Sequence, residues 1–378
     1  MKSSTENLNI ALVHEWITNV AGAERVLLQM HELFPKAPIY TAVFDAEKAK
    51  PFSDLDIRTS FLQNLPFMKT KREALVPFAP FAFEQFDLSA YDLVISNTTV
   101  AAKGIITKPS TIHISYCHTP PRYLWEPDVD QRASKGKLNW LRQSTIHKMR
   151  IWDRVAADRV DYFIANSKYV AKRIKKYYGR DATVIYPGVD VDKFTAGKLD
   201  DVKDYFLFVS RLVDYKRCDI VIEAFNKLKL PLKIIGRGPE KNKLMKMADS
   251  NIEFLGFLSD NDMKKYYREA KAFIFAAEED FGIVPVEAMA SGRPVIAFGK
   301  GGTTESVVDG VSGMFFHEQT AESLVEAITK FDVKKYDSNI IRKHAEKFSV
   351  PRFKQELTDY IEHVLSTTRD KGIPIDSK

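Results

Sequence analysis

The chain has 378 residues, 45% of them hydrophobic and 28% charged. One hydrophobic core rarely serves that length, so two domains with a cleft between them are expected. Lys and Arg number 56 against 50 Asp and Glu, a formal net charge of +6; this favours phosphorylated small molecules or an anionic membrane surface as partners and falls short of a dedicated nucleic-acid binder. The two cysteines, Cys117 and Cys218, stand far apart without a metal-ligand pattern, which argues against a disulfide framework or a zinc site and for a reducing compartment.

Leu8 to Val13 is apolar and β-prone, and a loop carries it into AGAERVLLQMHELF, where Val26, Leu27, Met30 and Leu33 fall on one helical face. The apolar run Asn9 to Val13, closed by His14 and Glu15, is too short for a signal-peptide core or a membrane span, so a cytoplasmic protein is expected. The runs 91–97 (YDLVISN), 111–117 (TIHISYC) and 161–167 (DYFIANS) read as further strands separated by helical segments, the pattern of a parallel sheet. After VIYPGVDVDKF (184–194), the polar, aperiodic GKLDDVKDY reads as a linker, which puts one domain at 1–195 and a second at 196–350. Five more strand candidates follow at 205–211, 232–236, 252–256, 272–278 and 294–299, with periodic helices such as CDIVIEAFNKL between them. Residues 351–378 are expected to form a helix, PRFKQELTDYIEHVL, returning to the first domain, and a frayed tail, DKGIPIDSK. The fold class is α/β, with two doubly wound Rossmann-like domains.

In open parallel sheets, ligands sit beyond the carboxyl ends of the strands, and the notable motifs lie there. In EEDFGIVPVEAMASG (278–292) a helix is expected to begin near Ile283 or Val284, with Pro285 in its first turn. Gly282 and its neighbours then present free amides and the positive end of the helix dipole, where an oxyanion can dock. Glu279 lies just before that start and Glu287 just inside it. Carboxylates repel phosphate but match a vicinal diol, each charge-assisted bond contributing about 1.5–3 kcal/mol; the same pair also reads as plain helix caps. SRLVDYKR (210–217) adds Arg211 at a strand end and Lys216 across a short loop, two cations suited to a diphosphate. Acids for hydroxyls and bases for phosphates together describe a sugar nucleotide.

In order and spacing, SRLVDYKR, IIGRGPE (234–240), FLGFLSD (254–260), EEDFGIVPVEAMASGRPVIAF and GGTTESVVDGVSG (301–313) resemble the second domain of the retaining GT-B glycosyltransferases of family 4. The first domain is similar more loosely: AGAER (21–25) resembles a glycine-rich GGxE loop with Ala21 in place of the first glycine, and YCHTPPRYLW (116–125) resembles a histidine-bearing stretch of the cleft. On HTPPRYLW and EEDFGIVPVEA, the likeness is greatest to bacterial mannosyltransferases that use GDP-mannose in surface polysaccharide assembly. The resemblance implies an acceptor-binding first domain and a nucleotide-sugar-binding second one. It implies Arg211 and Lys216 on the donor diphosphate, Glu287 on the ribose diol, Glu279 and His118 at the transferred sugar, and close backbone approach at Gly22. Phe257, Leu258, Phe281, Gly282, Ile283 and Val284 complete the implied donor site, with main-chain groups around Gly256 to Ser259 near the base.

No cofactor or metal is expected. The pairs Asp128 with Asp130 and Asp190 with Asp192 have the DxD form that holds a cation in other transferases, but each sits in a polar loop and reads as a turn. The expected reaction is metal-independent transfer of a hexose to a hydroxyl of a lipid-linked or oligosaccharide acceptor, with retention implied by the resemblance. Two basic-aromatic stretches, 61–86 and 137–152, read either as peripheral membrane contacts or as first-domain core with a solvated rim. A sugar-nucleotide epimerase and a non-catalytic nucleotide-sugar-binding subunit are the alternatives; a dehydrogenase is excluded because no GxGxxG follows Val13 or Val209.

Overall fold

The computed structural model describes residues 8–66, 76–126 and 139–370. The chain divides into two compact units, the first running to Tyr186 and resuming at Phe353, the second spanning Pro187–Arg352.

The first unit is built on seven parallel strands: β1 (Ile10–His14), β2 (Ile39–Thr41), β3 (Ile57–Thr59), β4 (Leu93–Thr98), β5 (Ile112–Cys117), β6 (Tyr162–Ala165) and β7 (Ala182–Val184), in the order β3-β2-β1-β4-β5-β6-β7. Every residue of β1, β4 and β5 is buried, because both faces of a parallel sheet are covered; this is why these segments read as apolar runs. One face packs on Val26, Leu27 and Met30 of helix Gly22–Leu33 and on Phe353, Leu357 and Ile361 of the last helix. The other packs on Ala79, Ala82, Phe83 and Leu88.

The second unit repeats the plan with β8 (Phe206–Val209), β9 (Leu232–Ile235), β10 (Ile252–Gly256), β11 (Phe273–Phe275), β12 (Val295–Phe298) and β13 (Gly313–Phe316), in the order β10-β9-β8-β11-β12-β13. Its core joins Phe208, Ile234 and Ile274 of the sheet to Val221, Phe225 and Leu324 of the helices. The composition of β2, β3, β7 and β13 did not mark them as strands; β3, β7 and β13 lie at sheet edges and are in part exposed, so they carry no continuous apolar run.

The stretch GKLDDVKDY, which its polarity marks as a linker, is tied to the second unit. Gly197 N donates to Ser291 O at 3.1 Å and Lys203 N to Glu269 O at 2.7 Å. Arg293, 1% exposed, donates from Nε to Arg268 O (2.6 Å) and from Nη2 to Lys198 O (2.8 Å). The compact unit Pro187–Arg352 takes in this stretch. The expected tail 371–378 lies outside the described residues. Among the described residues, no helix is long and apolar enough to cross a membrane.

In each sheet the strand order reverses beside the first strand, between β1 and β4 and between β8 and β11. Loops leaving the carboxyl ends of such a pair run to opposite sides and open a crevice, the usual ligand position in doubly wound sheets.

Candidate functional site

In the second unit, β8 ends at Val209, and its loop carries Arg211 and then a 3₁₀ turn, Asp214–Lys216. Arg217 closes that turn in the left-handed region, φ 54° and ψ 39°, a conformation that costs a non-glycine residue on the order of 1–3 kcal/mol. Asp219 (3.1 Å) and Gln319 (3.0 Å) accept from its guanidinium and hold it there. The glycine-rich loop after β9 braces the same segment: Leu212 N donates to Arg237 O at 2.8 Å and Glu240 N to Leu212 O at 3.2 Å. A Cβ on Gly236 would stand 1.8 Å from Ser210 O, and one on Gly238 2.0 Å from Leu212 O. Glycine is required at both because main chain touches main chain.

Across the switch point, β11 leads to Glu279, whose Oε1 pairs with Lys216 Nζ; the two side chains are 21% and 17% exposed. The Lys216 ammonium lies 5.2 Å from the Tyr215 ring centroid, and the Tyr215 hydroxyl accepts from Arg211 Nη2 at 3.1 Å. Arg211, Tyr215, Lys216 and Glu279 thus form one connected chain of groups. The main chain of Glu279 is fixed by Gly302 N, which donates to Glu279 O at 2.7 Å.

Helix Ile283–Ala290 starts from Gly282, its N-cap at φ 87°. Glu287, 6% exposed, sits within it and accepts from Tyr267 Oη at 3.1 Å. Tyr267 is itself 1% exposed, packed against Phe194 and Phe273, so the carboxylate is held by a ring with no freedom to swing. Phe281 differs from the other expected site residues: its ring is buried against Phe348 (centroids 5.5 Å apart), which leaves only its main chain for a ligand. Ile283 and Val284 are half-buried at the helix start. Phe257 is 65% exposed with the Arg237 guanidinium 4.5 Å over its ring, and Leu258 beside it is half-buried.

The first unit places a buried polar cluster at its own switch point, where His14 at the end of β1 lies opposite Asn97 in β4. His14, Glu15, Glu24 and Asn97 are each no more than 5% exposed. His14 Nδ1 donates to Asn97 O at 2.8 Å and lies 3.7 Å from Glu15 Oε2, while its Nε2 lies 3.7 Å from Glu24 Oε1. Burial opposes charge on this imidazole, but Glu24, Glu15 and the Asn97 carbonyl together raise its pKa above the ordinary histidine value. Glu15 Oε1 accepts from the Thr98 hydroxyl (2.7 Å) and from the amides of Thr99 (2.8 Å), Val100 (2.7 Å), Ala101 (3.2 Å) and Ala102 (3.3 Å), a carboxylate seated in a nest of N–H groups.

Gly22 is the first residue of its helix, and Glu24 Oε2 reaches back to Ala21 N at 3.0 Å, half of a capping box. His118 follows β5; its N donates to Thr98 O (2.8 Å), its Nε2 meets Asn97 Oδ1 (2.6 Å), and its ring lies edge-on to Tyr116. The loop after it is pinned by Arg173, 5% exposed, which donates to Thr119 Oγ1 and Pro120 O and pairs with Glu126 at 2.8 Å.

Tyr267, Asn97, Arg173 and Glu15 have no chemistry-bearing motif of their own in the sequence, while Tyr215 and Glu24 lie inside SRLVDYKR and AGAER without being among the residues expected at the site. The signals for the first-unit group are the GGxE-like AGAER, which contains Glu24, and the polar pairs at strand ends, His14 closing β1 with Glu15 after it and Asn97 and Thr98 closing β4, which meet only once the strand order is known. Asp190 pairs with Lys193 (2.8 Å) and Asp192 with Arg342 (3.4 Å), while Asp128 and Asp130 lie outside the described residues. Among the described residues, no three His, Cys, Asp or Glu side chains gather as metal ligands would. Of the basic-aromatic stretches, Phe78, Phe81 and Trp140 are exposed at 52%, 57% and 69%, whereas Phe83 is in the core.

Two doubly wound units, the second with cations and carboxylates meeting at its switch point, define an α/β protein of the GT-B fold. Residues 20–193 match the family described as Glycosyltransferase Family 4, and residues 191–348 the family described as Glycosyl transferases group 1. Between them these matches take in most of the sequence, and the chain belongs to the group 1 glycosyltransferases. Among its relatives, the uncharacterized glycosyltransferase MJ1178 of Methanocaldococcus jannaschii is 32% identical over 187 residues, 48% of this chain and 52% of that protein. The D-inositol 3-phosphate glycosyltransferase of Mycolicibacterium smegmatis is 31% identical over 187 residues, 43% of each chain. The chain thus spans about half the length of the curated relatives it matches. In fold it is similar to Anabaena Alr3699/HepE, solved in complex with UDP-glucose, with a TM-score of 0.69 at 20% identity over 94% of this chain and 99% of that one.

Proposed function

We propose that this chain is a retaining hexosyltransferase that moves a hexose from a nucleoside diphosphate sugar to a hydroxyl of a lipid-linked or oligosaccharide acceptor. The observation that carries the reading is the meeting of Lys216 and Glu279 at the β8/β11 switch point, with Arg211 joined to them through Tyr215. Arg211 and Lys216 hold the diphosphate and offset the charge that grows on it as the bond from the anomeric carbon to phosphate oxygen breaks. Glu279 accepts from hydroxyls of the sugar, and Glu287, braced by Tyr267, accepts from the ribose diol. The acceptor oxygen bonds to the anomeric carbon on the face the diphosphate leaves, and the departing phosphate takes the acceptor's proton, so charge and atoms balance. Gly22 and His118 are the first unit's candidate substrate contacts.

GDP-mannose is the donor we favour, supported by the likeness of HTPPRYLW and EEDFGIVPVEA to mannosyltransferases; the UDP-glucose bound by HepE makes uridine donors the second arm of the test. A thermal-shift panel of nucleotide sugars is expected to single out GDP-mannose, since stabilisation grows with ligand concentration over Kd. Equal shifts from every nucleotide sugar, or the largest from a uridine donor, overturn that choice. On the same panel Glu287→Gln is expected to reduce the shift from the nucleoside diphosphate itself, while Glu279→Gln reduces it only when the sugar is attached. Equal effects on both ligands contradict the two assignments.

The exposed Phe78, Phe81 and Trp140, with the net charge of +6, support a site of action at the cytoplasmic face of a membrane. Flotation with anionic liposomes at low salt checks this, and recovery of all protein in the unbound fraction ends it.

A further inference from the structure

We propose that Asn97 is a positioning residue that sets the tautomer and orientation of His118 and ties it to the first turn of helix 22–33. The inference rests on the reading of His118 as a substrate contact. Asn97 has no exposed surface and lies in β4 between β1 and β5, with His14 opposite on one side and Tyr116 on the other. Its Nδ2 is 2.9 Å from Ala23 O. A main-chain carbonyl only accepts, so the nitrogen of the amide must face it and the oxygen must face the other way. That oxygen is 2.6 Å from His118 Nε2. An amide oxygen also only accepts, so Nε2 carries the hydrogen, and neutral His118 is the Nε2–H tautomer with its lone pair on Nδ1.

Asn97 is locked in turn from its other end. Its main-chain oxygen accepts from His14 Nδ1 at 2.8 Å, and His14 Nε2 faces Glu24 Oε1 at 3.7 Å. The second oxygen of Glu24 accepts from Ala21 N at 3.0 Å, at the cap before Gly22. The main chain of His118 is held by the neighbouring residue of the same strand, Thr98 O accepting from His118 N at 2.8 Å. The first turn of helix 22–33 and the His118 ring therefore share Asn97 as a buried support, its amide nitrogen donating to Ala23 O and its amide oxygen accepting from His118 Nε2. A side chain held by such partners keeps its geometry through a reaction cycle without reorganising.

The test is a long-range proton–nitrogen correlation spectrum of the imidazoles in the full-length, nitrogen-15-labelled protein at alkaline pH, with His118 assigned by its disappearance in His118→Ala. The wild-type ring is expected to be protonated at Nε2 alone. Asn97→Ala is expected to show averaged nitrogen shifts for His118 and a kcat about three- to tenfold lower, the value of one neutral hydrogen bond. A wild-type His118 protonated at Nδ1, or already averaged, overturns the proposal whether or not any variant folds. Wild-type kcat in Asn97→Ala with a loss in His118→Ala overturns it while the role of His118 stands. Wild-type kcat in both overturns it through His118 itself.

Discussion

Lys216→Ala is expected to lower kcat/KM for the nucleotide-sugar donor by about a hundredfold. A charge-assisted bond to phosphate contributes about 1.5–3 kcal/mol, which alone is ten- to hundredfold. The upper end applies because Lys216 is paired with Glu279 before any donor arrives. Removing the ammonium leaves an uncompensated carboxylate beside the diphosphate, so a lost attraction is joined by a repulsion. Lys216→Arg should not restore the rate: a planar guanidinium cannot occupy the point-charge position between the Tyr215 ring and Glu279. In the double variant with Glu279→Gln the loss should be smaller than the product of the single losses, since the stranded acid is gone. Steady-state kinetics of wild type and the four variants is the check, and a Lys216→Ala rate within about threefold of wild type removes Lys216 from the proposed donor site.

Glu15→Ala should be the most damaging substitution in the first unit, lowering stability by about 3–5 kcal/mol, as expected when one partner of a buried charged group is deleted. The carboxylate accepts from one hydroxyl and four consecutive amides, and alanine leaves those donors buried without an acceptor. The pH dependence has a definite sign. Burial alone would raise the Glu15 pKa, but the His14 charge, the amides of Val100 and Thr99 and the Thr98 hydroxyl hold it below its ordinary 4.5. Its contribution is therefore present above pH 4.5 and is lost as pH falls through the folded-state value. The gap between wild type and Glu15→Ala in urea unfolding, followed by tryptophan fluorescence, should narrow over that acid range. A gap below about 1 kcal/mol at neutral pH, the value of a single ordinary hydrogen bond, contradicts the nest as a stabilising element.

The two clusters have a common origin. Each sits where strand order reverses, β8 against β11 and β1 against β4, because only there do neighbouring carboxyl ends send their loops apart and leave polar side chains facing one another. The same topology explains why the buried charges of the first unit are tolerated. His14 lies between two carboxylates, and Glu15 faces the segment 99–102 just beyond β4, whose amides donate to it.

The strongly apolar strands, the amphipathic helices and the second-unit motifs were all legible along the chain, because burial on both sheet faces and periodicity are local properties of sequence. So were the residue types of the site proposed for the donor: Arg211, Lys216 and Glu279 stand in loops that follow strands, and Glu287 inside the helix that begins at Ile283. The strands β2, β3, β7 and β13 were not legible; β3, β7 and β13 are edge strands with part of their surface exposed, so they lack the continuous buried apolar run that marks a central strand as short as β11. Nor did composition reveal that residues 197–205 dock on the second unit, because their polar side chains are compatible with solvent while it is their main-chain carbonyls and amides that bind.

What the amino-acid order determined by itself is thus a pair of doubly wound sheets and a chemical vocabulary of cations, acids and glycines fit for a sugar nucleotide. Only the tertiary structure decided which of those groups meet. Lys216 reaches Glu279 because β8 and β11 are neighbours although β9 and β10 come between them in the chain, and Asn97 reaches His14 because β4 pairs with β1. Hydrogen bonds and ion pairs act over a few ångströms of space, and the distance along the chain between their partners leaves no local mark.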